Sequence, residues 1–106
     1  MKIYSIYLTP DNKEVKVLSG RDKGEQLREF FLLDSLDKVI KGVTIVYIPD
    51  DIYSISSGYF LGLFGKSIRC LGELNFRKRY HFVCENCLLS NIDDGIKQAL
   101  KIGSIF

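Results

Sequence analysis

Apolar and polar side chains alternate over "KIYSIYL", with Ile3, Ser5 and Tyr7 on one side and Lys2, Tyr4, Ile6 and Leu8 on the other. That is the period of a β-strand. The turn-forming "TPDNKE" follows, then a second alternating run, "VKVL", so an N-terminal hairpin is predicted. In "SGRD", Ser19 stands as a cap with Asp22 three residues on, and Leu27, Phe30 and Phe31 follow at helical spacing. A helix is therefore expected from near Arg21 through "LLDSLDKVIKG" to Gly42, with a break at Asp34 and Ser35. "VTIVYI" is β-branched and almost continuously apolar, the pattern of a central strand buried on both faces, and Pro49, Asp50 and Asp51 close it. Beyond "SISSG", Phe60, Leu63, Phe64, Ile68 and Leu71 recur at spacings of three and four, predicting a helix that ends at Gly72. "YHFVCE" reads as a further strand. Ile92, Ile96, Ala99 and Leu100 share one face of a terminal helix, with Ser90 and Asp93 at capping-box spacing.

The later strands are each separated by a single helix, which favours parallel pairing through right-handed crossovers. The expected architecture is one α/β domain over residues 1–106: a mixed sheet with an N-terminal hairpin and about three packed helices. A chain of 106 residues accommodates one such unit, and 46% apolar content with seven Phe and six Tyr supplies its core.

Charge narrows the partners. Fifteen basic and 13 acidic side chains are interspersed for a net +2, so no strong field for nucleic acid is implied. The dense basic run, Arg77 to Tyr80, reads as a solvated turn; with Arg69 it defines a weaker nucleic-acid alternative through Arg69, Arg77, Lys78 and Arg79. The N-terminus lacks the apolar block of a signal peptide, and no apolar run approaches the ~18 residues of a membrane span. Three cysteines, an odd number, suit a reducing compartment, and a cytoplasmic location is expected.

Two features of residues 53–71 carry functional interest. Gly58, Gly62 and Gly65 fall within about 60° of one another on a helical wheel, nearly opposite Phe60, Phe64 and Leu71. An interior glycine costs ~1 kcal/mol relative to Ala, so the bare stripe implies close approach by another backbone, either within the domain or from a partner. Ser56 and Ser57 stand at the start of the same helix, where free N–H groups and the helix dipole favour an anion. They serve either as a structural cap or as a site of phosphorylation.

The succession "VTIVYIPDDIYSISSGYFLGLFGKSI", "LGELNFRKRYHFVCEN" and a terminal amphipathic helix resembles the STAS-like proteins of unknown function called DUF4325, over roughly residues 20 to 102. Those proteins look like relatives of the STAS domains of anti-sigma factor antagonists, whose DSSG loop presents a serine to a GHKL-type serine kinase. The resemblance implies that Ser56 matches the phosphorylated serine, Ser57 the second serine and Gly58 the glycine. Ile55 departs from the pattern, standing where the loop has Asp.

Catalytic and metal-binding signals are sparse. Cys70, His81, Cys84 and Cys87 offer zinc-ligand types, but a second close pair is missing and His81 and Cys84 alternate to opposite faces of their strand. His81 is the sole histidine, nothing in the sequence places it near Ser56, and phosphate-binding glycine loops are lacking. No cofactor or metal is expected. The function expected is that of a non-catalytic protein-binding regulatory module. Its contact region comprises Tyr53, Ser56, Ser57, Gly58, Tyr59, Gly62, Gly65 and Lys66, with Ser56 or Ser57 as the phosphorylation candidate. A GHKL-type serine kinase is the first candidate partner. The alternative is a small inhibitor of phage or mobile-element origin that binds a host nuclease or defence protein.

Overall fold

The computed structural model describes residues 2–10, 12, 14–39 and 41–105, the last four as backbone only. Strand β1 (Lys2–Tyr7) runs parallel to β3 (Gly42–Tyr47), with Ile3 opposite Val43 and Tyr7 opposite Tyr47. On its other side β3 pairs in parallel with β5 (Tyr80–Val83), giving the order β1-β3-β5. A separate parallel pair joins β2 (Val17–Leu18) to β4 (Ser54–Ile55). The expected hairpin does not form, and the strand pairs among the described residues are parallel, not mixed. The reason is length: β2 offers two residues to a hairpin partner, whereas β3 offers β1 a matched ladder of six.

Helix α1 (Arg21–Phe30) starts after Gly20, whose φ of 99° makes the turn; the predicted Ser19 cap is not used. The helix breaks at Leu32, earlier than expected, because Leu32 takes a left-handed conformation with φ 57°. That turn buries Leu33 at the head of α2 (Leu33–Leu36) and brings Asp34 and Asp37 back beside Arg28 of α1. A third helical run comprises α3 (Ser57–Phe60), a π segment (Leu61–Gly65) and α4 (Lys66–Leu71), and ends as predicted at Gly72. Helix α5 (Glu73–Arg79) occupies the stretch that reads as a basic turn; Phe76, fully buried, anchors it, and Arg77, Lys78 and Arg79 form its last turn. A 3-10 turn (Asn86–Leu88) leads into α6 (Leu89–Ile105), so the helix begins before Ser90, whose hydroxyl donates to the Cys87 carbonyl and caps nothing. Among the described residues no helix is long and apolar enough to cross a membrane.

Helices cover one face of the sheet. Ile6, Thr44, Val46, Tyr80 and Phe82 point into it, and the rings of Phe60, Phe64, Phe76, Tyr80 and Phe82 pack at centroid separations of 5.0 to 6.3 Å. Such edge and offset arrangements fix the helical layer's position on the sheet. The opposite face carries Ile3, Tyr7 and Val83, all exposed, around half-buried Val43, Ile45 and Tyr47. β3 is thus buried on one face, not two; an almost continuous apolar run does not by itself distinguish the two cases.

Candidate functional site

The serine turn is held on two sides. Tyr53 N–H donates to the Lys16 carbonyl at 3.0 Å and Ser56 N–H to the Leu18 carbonyl at 2.8 Å, extending the β2-β4 pairing. From α6, the Asn91 side chain accepts the Ile55 N–H at 3.1 Å. Ile55 itself is buried in the core, which explains an apolar residue where the resembling loop has Asp. Ser56 is extended (φ −70°, ψ 152°), and its Oγ accepts the Tyr59 N–H at 3.1 Å, so it is the N-cap of the helical run. Ser57 is the first helical residue and is exposed.

This division of labour has a measurable consequence. Ser56→Ala is expected to cost about 1 kcal/mol and lower Tm by roughly 4–8 °C, while Ser57→Ala leaves the thermal melt unchanged.

The glycine stripe is occupied from within the chain. A methyl group built on Gly62 would lie 2.5 Å from the Arg21 carbonyl oxygen and 3.1 Å from the Glu25 nitrogen, both on α1. From the opposite side, one on Gly24 would lie 2.3 Å from the Tyr59 carbonyl oxygen. Two backbones therefore meet without intervening side chains, and Gly58 extends the seam against Arg21. Gly65 is buried behind the Arg69 guanidinium, and Tyr59 is only 2% exposed. Tyr59, Gly62 and Gly65 are accordingly corrected from surface contacts to internal packing. Of the expected contact set, Tyr53, Ser57 and Lys66 are exposed, with Ser56 and Gly58 half-buried. Lys66 lies about 13 Å further along the helix axis and pairs with Asp34 at 3.5 Å, outside the turn.

One internal constellation was not anticipated from sequence. Arg28 is 8% exposed, and its guanidinium donates to the Leu63 carbonyl (3.0 Å), Ser67 Oγ (2.7 Å), Asp34 (2.7 Å) and Asp37 (3.0 Å). Ser67 Oγ and the Tyr80 hydroxyl both donate to Asp37, which closes the network across α1, α2, α4 and β5. Hydrogen bonding and charge from Arg28 hold the Asp34 carboxyl below the usual carboxylate range. Burial, then the bond to Asp37, pushes the Tyr80 hydroxyl well above the usual tyrosine range, so it stays a donor. The sequence signal was a single arginine four residues after Gly24, on the face that α1 turns toward the π segment.

The remaining candidates are dispersed. Cys70 and Cys87 are exposed and Cys84 half-buried, with its thiol pushed up by burial. His81 Nε2 lies 2.9 Å from the Lys78 carbonyl. Among the described residues no group of three or more His, Cys, Asp or Glu side chains is placed to hold a metal ion. The basic run is partly engaged internally: Arg77 pairs with Glu73 and Asp93, and Arg79 donates to the Leu36 and Val39 carbonyls. The chain matches no family model, no curated protein and no solved structure.

Proposed function

We propose that the chain is a non-catalytic protein-binding module whose contact point is the turn from Tyr53 to Ser57, and that phosphorylation of this turn switches the contact. The observation that carries this reading is the placement of an exposed serine hydroxyl, Ser57, and a half-buried one, Ser56, at the head of a 57–71 helical run, on a turn fixed by β2 and α6. Exposed Tyr53 beside it offers the aromatic area on which protein contacts depend. The resemblance to STAS-like proteins points to Ser56 as the modified residue and to a GHKL-type serine kinase as the partner.

A phosphate on either serine adds about −2 charge at a helix start, where the free N–H groups and dipole accommodate it. The domain itself tolerates the change. A closely packed or acidic partner does not, and that difference is the switch.

Asp is as good an N-cap as Ser, so Ser56→Asp changes charge while keeping the helix start. Capture from the native host with wild-type chain and with Ser56→Asp, read by mass spectrometry, tests the reading. A discrete protein retained by wild type and lost by the variant, with phosphate found on Ser56 or Ser57, is the expected result. Equal capture of the same proteins by both would overturn it, and capture of a host nuclease or defence subunit would put the inhibitor in its place.

A further inference from the structure

The face of the three-stranded sheet that none of the described helices covers carries the strongest unassigned feature. Parallel sheets are normally covered on both faces, because their strands are apolar on both. Here the outward positions are Ile3, Ser5 and Tyr7 on β1, Val43, Ile45 and Tyr47 on β3, and His81 and Val83 on β5. Ile3, Tyr7 and Val83 are 69%, 61% and 51% exposed, and Tyr7 and Tyr47 stack at 4.8 Å to form a flat aromatic shelf. No carboxylate, ammonium or guanidinium stands among these eight outward positions.

We infer that this face is the interface of a homodimer, formed by a second copy of the chain packed sheet against sheet. Two properties select that occupant. An isologous contact sets each patch against its own image, so a fixed charge there would repel itself, and these eight positions hold no Asp, Glu, Lys or Arg, with His81 at the β5 edge the one group that titrates near neutral pH. With Ile3, Tyr7 and Val83 more than half exposed, Ser5 and His81 exposed and the three β3 side chains half-buried, the outward side chains present about 500 Å² per copy, or about 1,000 Å² for two, the threshold for a biological interface and the range of a weak, reversible one. Facing sheets pack about 10 Å apart with interdigitating side chains, a geometry that alternating Ile, Val and Tyr fill well. A lack of charge also disfavours nucleic acid and strongly charged protein partners for this face.

Sedimentation equilibrium of the full chain over a concentration series is the test, with Ile3→Lys and Val83→Lys on the face and Leu74→Lys as a control. All three residues are exposed, Leu74 at 68% on α5, so the substitutions leave the core intact, and circular dichroism verifies folding. The expected result is a reversible dimer whose dissociation constant rises about 100-fold in each face variant and is unchanged in the control. A chain that stays monomeric up to about 1 mM overturns the inference, even if the face then proves to bind a different protein. So does a dimer indifferent to both face variants.

Discussion

Gly24→Ala is expected to destabilise the chain by about 2–3 kcal/mol and lower Tm by roughly 10–20 °C, the opposite sign from the usual effect of replacing a helical glycine. Alanine ordinarily stabilises a helix interior by ~1 kcal/mol because it lowers the entropy lost on folding. At Gly24 the added carbon would sit 2.3 Å from the Tyr59 carbonyl oxygen and 3.0 Å from the Leu63 nitrogen. Both are backbone atoms of the facing helical run, so relief requires α1 to move away from it. Gly62→Ala should behave alike, since its nearest neighbour is the Arg21 carbonyl oxygen at 2.5 Å. Gly65→Ala supplies the contrast: its nearest atom is the far end of the Arg69 side chain at 3.1 Å, which swings aside, so stability should stay level or rise. Urea unfolding of the three variants checks the ordering; a Gly24→Ala protein as stable as wild type would mean that the two backbones do not meet as described.

Arg28→Met should cost about 3–5 kcal/mol, because it removes the cation and leaves Asp37 largely buried without its counter-charge. The loss spreads beyond one ion pair, since the guanidinium also serves the Leu63 carbonyl and the Ser67 hydroxyl. Arg28→Lys is expected to restore only part of it, for a single ammonium does not reproduce the planar fork that reaches four acceptors. The decisive comparison is Arg28→Met with Asp37→Asn together, which removes the charge and keeps an acceptor for the Ser67 and Tyr80 hydroxyls. If the penalty is that of an abandoned charge, the double variant loses less than Arg28→Met alone. A double-mutant cycle by denaturant unfolding measures this, and strict additivity would show that Arg28 and Asp37 act independently.

What the sequence disclosed follows physical lines. The 57–71 run and the terminal helix were legible because each carries a long apolar stripe at helical spacing, and the Ser56 cap because helix starts select serine. Helix α5 escaped notice because "ELNFRKR" shows only Leu74 and Phe76 as apolar residues, and one of them, Leu74, faces solvent. The hairpin was misread because turn residues report that the chain reverses or loops, not which strand becomes the neighbour. Glycines 58 and 62 announced a close approach, yet the backbone that fills it, near Arg21 and Glu25, lies far back in the sequence, while the nearest atoms to Gly65 belong to side chains of its own helical run, Arg69 and Leu61. The Arg28 network was hidden for the same reason, with Leu63 and Ser67 35 and 39 residues further along the chain. No local pattern encodes such pairings.

With the glycine seam internal, the interaction claim rests on the turn alone. Its most direct test is site-specific photo-cross-linking in the native host, with the reactive side chain placed at Tyr53 or Ser57 and, as a control, at exposed Leu74 on α5. The expected result is a discrete protein adduct from Tyr53 and Ser57 that Leu74 does not give and that Ser56→Asp abolishes. Adducts from the control alone, or adducts at the turn that persist in Ser56→Asp, would contradict the switch.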